Sequence, residues 1–163
     1  MLIRLADAAA TERLGQVLAG PLARACVDTP LVVHLEGPLG AGKTTLARGL
    51  LRGLGHEGRV RSPTFTLLEP YELARCTVIH LDLYRLADPG ELDYLGLVDM
   101  LAPGSLVLVE WAARGGDRLP QADLLIRLDY DGEARNAECT ARTSLAADAL
   151  MAARAWEQAP RPT

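Results

Sequence analysis

The segment from Gly37 to Thr45 reads GPLGAGKTT and satisfies the pattern G-x-x-x-x-G-K-[ST] through Gly37, Gly42, Lys43 and Thr44. Such a loop wraps successive backbone N–H groups around an anion, and the positive end of the helix that follows adds to the field. Gly40, Ala41 and Gly42 carry little or no side chain, so a phosphate can approach the backbone; Gly37 and Leu39 complete the binding loop. Lys43 is expected to pair with the β- and γ-phosphates, Thr44 to ligate Mg²⁺ through its hydroxyl, and Thr45 to donate to the α-phosphate. Lys43 is also the only lysine in the chain, every other Lys/Arg-type position being arginine. A compact ammonium on a flexible stem fits between two phosphates where a planar guanidinium does not. The implied ligand is a nucleoside triphosphate with its Mg²⁺.

A loop of this kind needs an acid for the metal, normally at the end of an apolar strand. Two runs compete: VIHLD ends at Asp82 and LVLVE ends at Glu110. Each acid stands where an open parallel sheet exposes its carboxyl edge, which is where ligands bind. One can hold Mg²⁺ while the other orients the attacking water; the residues alone leave the two roles unallocated. Between loop and acid strand lies RSPTFT, Arg61 to Thr66. Thr64 there can sense the γ-phosphate as switch loops do, or Ser62-Pro63 can simply turn the chain into a strand. Arg85 reads as a surface arginine, with transition-state charge as the alternative, and Trp111 as a core residue or a neighbour of the nucleotide.

Absences narrow the ligand to ATP. Guanine-binding switch proteins carry N-K-x-D, and the single asparagine here, Asn136, has no lysine beside it. A D-x-x-G match at Asp93 to Gly96 does not close an apolar strand. Small-molecule kinases usually carry an arginine-rich lid, and Arg114 and Arg118 are too sparse to make one.

The elements that must position these residues follow in the required order. LVVHLE, Leu31 to Glu36, is a short apolar run leading into the loop, as a buried parallel strand would be. Behind Lys43, Leu46, Leu50 and Leu54 fall on one helical face, with Gly53 and Gly55 available to end the helix. An edge strand is expected at Leu2 to Leu5, then a helix capped by Asp7 and broken or kinked at Gly20-Pro21. Strands are expected at Thr64 to Tyr71, Thr77 to Tyr84 and Ser105 to Val109, with a short helix at Glu91 to Leu95. Asp123 to Tyr130 and Ala134 to Arg142 read as a hairpin about Asp131-Gly132. A helix from Ser144 to about Trp156 closes an α/β fold: one P-loop NTPase domain over residues 1–156, with a largely parallel sheet, flanking helices and a C-terminal β-hairpin. Residues 157–163 are expected to form a disordered tail.

Composition supports one globular domain: 163 residues, 49% of them apolar. A net charge of −4 argues against a general nucleic-acid surface, so any such role would run through partners. Cys26, Cys76 and Cys139 make neither a disulfide framework nor a CxxC site, and His34, His56 and His80 lack ligand spacing, so a structural role is expected for each. The N-terminus carries Asp7 and Glu12 and no continuous apolar core, and no stretch approaches a membrane span, so a cytoplasmic location is expected.

The blocks GPLGAGKTT, VRSPTFTLLEPYE, VIHLDLYRLADPGELDYLG and LVLVEW, in this order and spacing, resemble the TsaE (YjeE) family over roughly Leu5 to Tyr130. That family comprises small bacterial P-loop ATPases of tRNA threonylcarbamoyladenosine synthesis. The resemblance implies an ATPase that works with the TsaB–TsaD transferase complex and meets tRNA only indirectly. It implies that Thr44 and Glu110 approach the metal, that Asp82 and Thr64 lie close to the γ-phosphate, and that Asp7 sits beside the nucleotide. Two departures are Pro38, where the family often has an acid, and Gly20-Pro21, which interrupts a commonly continuous helix. The leading expectation is a Mg²⁺-dependent ATPase, slow alone and activated in a partner complex. The alternatives are a nucleotide-gated binding module with incidental hydrolysis, and a small-molecule kinase.

Overall fold

A computed structural model of the chain describes residues 1–159. Seven strands form one sheet: β1 (Leu2–Leu5), β2 (Leu31–Glu36), β3 (Leu68–Glu72), β4 (Thr77–Asp82), β5 (Ser105–Glu110), β6 (Leu124–Asp131) and β7 (Ala134–Ala141). Their order is β1-β7-β6-β2-β5-β4-β3. The four central strands, β6, β2, β5 and β4, run parallel, and antiparallel strands finish both edges. Four α-helices accompany them: α1 (Ala8–Ala25), α2 (Lys43–Gly53), α3 (Leu97–Met100) and α4 (Ala147–Gln158). The α/β architecture expected from the sequence is the one found, and its C-terminal hairpin, β6–β7, is part of the main sheet.

The two-residue period of the strands divides the interior into two layers. Val33, Leu35, Val78, Leu106, Leu108 and Ile126 point to the face covered by α1, α2 and α4. Val32, Ile79, Leu81, Val107 and Val109 point to the other, covered by α3 and the short 3-10 segments around it. All three cysteines are buried and unpaired in disulfides. Among the described residues, no helix is long and apolar enough to cross a membrane.

The first helix departs from expectation, because α1 runs unbroken through Pro21. Proline forfeits one helical hydrogen bond, at a cost of about 3 kcal/mol in an otherwise regular helix. Here Leu14, Leu18 and Leu22 are fully buried on the same side, and that packing holds the helix together across the missing bond. The contact with α2 is unusually close. A Cβ added at Gly49 would stand 1.9 Å from the Glu12 carbonyl oxygen, so glycine at this position sets the distance between the two helices.

Several further boundaries move. β3 starts at Leu68 rather than Thr64, β4 ends at Asp82 rather than Tyr84, and the short helix after it is a 3-10 segment, Pro89–Tyr94. Residues 64–66 form a turn, closed where Leu67 N–H donates to Pro63 O at 2.7 Å. The Thr64 hydroxyl bonds Ser62 and Asp82 there, a local alternative to strand pairing. α4 reaches Gln158, two residues past its expected end. The remainder of the expected tail, residues 160–163, lies outside the described residues.

Candidate active site

The glycine loop joins β2 to α2 at the carboxyl edge of the parallel strands. Gly37 leaves β2 with φ +133°, and a Cβ there would collide with Leu128 O at 2.1 Å, so only glycine turns here. The loop's outer rim is held from the hairpin, where Tyr130 Oη donates to Leu39 O at 2.6 Å. α2 begins at Lys43, and the N–H groups of its first turn have no intrahelical acceptors.

Lys43 is 4% exposed. Its Nζ donates to Gly37 O at 2.7 Å and to Pro38 O at 2.8 Å, and stands 4.1 Å from the centroid of the Trp111 ring. Burial holds its pKa below the ordinary lysine value, against the opposing pull of Glu110 and Asp82. Among the described residues no carboxylate forms an ion pair with it. A buried cation satisfied only by carbonyls and an aromatic face is a group prepared for an anion.

Two acids converge beside it. Asp82 and Glu110 are register partners on adjacent parallel strands and end β4 and β5 side by side. Thr44 Oγ1 donates to Glu110, 2.9 Å from Oε1 and 3.1 Å from Oε2. Asp82 Oδ2 accepts from Ser62 Oγ and, at 3.2 Å, from Thr64 Oγ1, while its Oδ1 accepts from Tyr84 N–H at 3.0 Å. The acids that the sequence could not tell apart therefore have different neighbours, Glu110 the loop hydroxyl and Asp82 the 62–64 hydroxyls. Among the described residues no cluster of three or more His, Cys, Asp and Glu side chains could enclose a metal alone. Oxygen donors from one hydroxyl and one or two carboxylates suit Mg²⁺, which takes its remaining ligands from phosphate and water.

A cleft of about 350 Å³ gathers Leu39, Gly40, Gly42, Lys43, Thr44, Thr45, Thr64, Asp82 and Glu110. Arg85 and Trp111 also reach it, and the Arg85 guanidinium lies 4.4 Å from the centre of the exposed Phe65 ring. Gly37 and Ala41 shape the loop without lining this cleft. Asp7 caps α1 by accepting from Ala10 N–H at 2.7 Å. It also borders an adjoining hollow of about 100 Å³, together with Thr11, Ala41, Thr45, Glu133 and Arg135.

Three contributors escaped the sequence reading. In sequence, Ser62 reads only as part of a turn and Tyr130 only as a strand residue. His80, read as structural, is fully buried with Nε2 2.9 Å from Glu110 Oε1. Its one signal was position: two residues before Asp82 on a strand, it must share that acid's face.

Comparison with known proteins agrees with the geometry. The family model described as threonylcarbamoyl adenosine biosynthesis protein TsaE matches residues 5–138. The tRNA threonylcarbamoyladenosine biosynthesis protein TsaE of Haemophilus influenzae is 46% identical over 140 residues, covering 86% of this chain and 89% of its own. That of a Nostoc species is 40% identical over 145 residues, covering 85% and 84% respectively. The crystal structure of Bacillus subtilis YdiB superposes with a TM-score of 0.76 at 27% identity, covering 97% of this chain and 96% of the other. The chain is thus a member of the TsaE family.

Proposed function

We propose that this protein is a Mg²⁺-dependent ATPase that supports tRNA threonylcarbamoyladenosine synthesis by acting on the TsaB–TsaD transferase complex. The observation that carries the proposal is Lys43, a buried cation without an ion-pair partner among the described residues, at the mouth of a glycine loop and one residue from the Thr44–Glu110 pair.

In this reading the loop N–H groups and Lys43 bind the triphosphate, with the α2 dipole contributing favourable potential. Gly37, Leu39, Gly40, Ala41, Gly42 and Thr45 form the cradle, and Asp7 borders the side where the adjoining hollow opens. Thr44 and Glu110 would hold Mg²⁺, which when bound supplies charge neutralisation for the developing phosphoryl oxygens. Asp82, fixed by Ser62 and Thr64, faces the cleft as the acceptor that orients the attacking water. Thr64 is in reach of the same position and would register the γ-phosphate. Trp111 keeps the Lys43 ammonium in place and shields it from solvent. The expected location is the cytoplasm, where this tRNA chemistry takes place.

A second reading, a nucleotide-gated docking module, is favoured by Phe65. It is 81% exposed yet sits between Thr64, which bonds Asp82, and the rest of the 64–66 turn. Single-turnover hydrolysis, with and without the partner complex, separates the two. The ATPase reading expects Glu110→Ala to abolish hydrolysis and tRNA modification together. Loss of hydrolysis with modification intact would leave the docking module as the function.

A further inference from the structure

The Glu110 carboxylate is 2% exposed, and a buried carboxylate needs donors that fix both its charge and its plane. From the loop side it receives only the Thr44 hydroxyl. That group has one hydrogen, shared between Oε1 at 2.9 Å and Oε2 at 3.1 Å, so it leaves rotation about the terminal torsion unopposed. The second donor comes from the neighbouring strand. His80 opposes Leu108 in the β4–β5 register, and its Nε2 reaches diagonally to Glu110 Oε1 at 2.9 Å. Because a carboxylate only accepts, Nε2 carries the hydrogen. The other ring nitrogen, Nδ1, is buried and has no partner among the described residues, so this single bond is what the imidazole makes there.

We infer that His80 is a positioning residue for the proposed ATPase: it locks the Glu110 carboxylate by Oε1, so that Oε2 is presented to the cleft for the cation held with Thr44. The inference rests on the ATPase reading of the site. It assigns a task to a buried histidine that would otherwise leave an unsatisfied nitrogen in the core for no return. A donor set of this kind behind a metal-binding carboxylate changes metal affinity or activity by about 10- to 100-fold when removed.

Three variants of the full-length protein test it. His80→Gln keeps an N–H donor at the distance of Nε2, His80→Asn keeps a polar group too short to reach, and His80→Leu removes the donor. Mn²⁺ affinity is read by electron paramagnetic resonance in the presence of a non-hydrolysable ATP analogue, alongside single-turnover hydrolysis and the nucleotide KM. We expect Leu and Asn to lose about 10- to 100-fold in Mn²⁺ affinity and in kcat while KM for nucleotide stays within a few-fold, and Gln to restore both. Asn, which carries a polar group into the same space, serves where the Leu variant does not fold. The inference is overturned if the folded Leu or Asn variant binds Mn²⁺ and turns over like the wild type, or if Gln is no better than Leu. A wild-type protein that binds neither Mn²⁺ nor the analogue would instead sink the ATPase reading itself.

Discussion

Asp82 accepts hydrogen bonds from Ser62, Thr64 and Tyr84, and the first two come from a segment that otherwise makes no strand. Ser62 and Thr64 also bond each other, with their oxygens 2.9 Å apart, so the two hydroxyls and the acid act as one unit. Ser62→Ala therefore removes one donor from Asp82 and the partner of Thr64. Losing such a bond to a charged group costs about 1.5–3 kcal/mol, or roughly 10- to 100-fold in the hydrolysis rate if the acid orients water. Single-turnover release of phosphate from ATP checks this; a Ser62→Ala rate equal to wild type would show that Asp82 works without the 62–64 segment. At this scale the sequence was legible where the chemistry demands fixed residue types in one short segment. Gly37, Gly42, Lys43 and Thr44 announce themselves because their spacing is the function. Ser62, His80 and Tyr130 did not, because each acts across the fold on a group 20 or more residues away, and a hydrogen bond between distant residues leaves no periodic trace.

The elements were placed well by the two periods, 2 for strands and 3.6 for helices, and poorly where a local signal met a tertiary one. Leu31–Glu36, Thr77–Asp82 and Ser105–Glu110 are strands because apolar residues on both faces are buried under helices on both sides. Pro21 read as a helix breaker because the local penalty is visible in the sequence, whereas the burial of Leu14, Leu18 and Leu22 is not. The same contact yields a contrast in stability. Gly49→Ala drives a Cβ to 1.9 Å from the Glu12 carbonyl, a backbone atom that cannot yield without moving α1. We expect it to lower the unfolding free energy by about 1–3 kcal/mol. Gly20→Ala, whose Cβ meets only the Arg24 side chain, at 3.5 Å, beyond its chain neighbours, should cost less, because alanine's helix preference of about 0.5–1 kcal/mol offsets the crowding of its Cβ against the Pro21 ring. Urea unfolding of both variants checks the pair. Equal midpoints would mean that the α1–α2 distance is not set by Gly49.

Across the whole molecule, one sheet brings every proposed participant to a single edge. β2 delivers the loop, β4 and β5 deliver Asp82 and Glu110, and the β6–β7 hairpin supports the loop through Tyr130. The expected fold and its site edge were readable because strand, glycine loop and helix had to occur in that order. The hairpin's part in holding the loop was not readable, since it depends on β6 pairing with β2, 91 residues apart at the Arg127–Glu36 contact. The most direct test of the account uses a property of the entire chain, its single lysine. Apart from the N-terminus, Lys43 is the only amine, so intact-protein mass spectrometry after treatment with a lysine-selective acylating reagent counts one site. Peptide mapping then separates it from Met1. If Lys43 grips the phosphates of Mg·ATP, saturating nucleotide will suppress its acylation while leaving Met1 labelling unchanged. Lys43 acylation at the same rate with and without Mg·ATP would contradict the phosphate site.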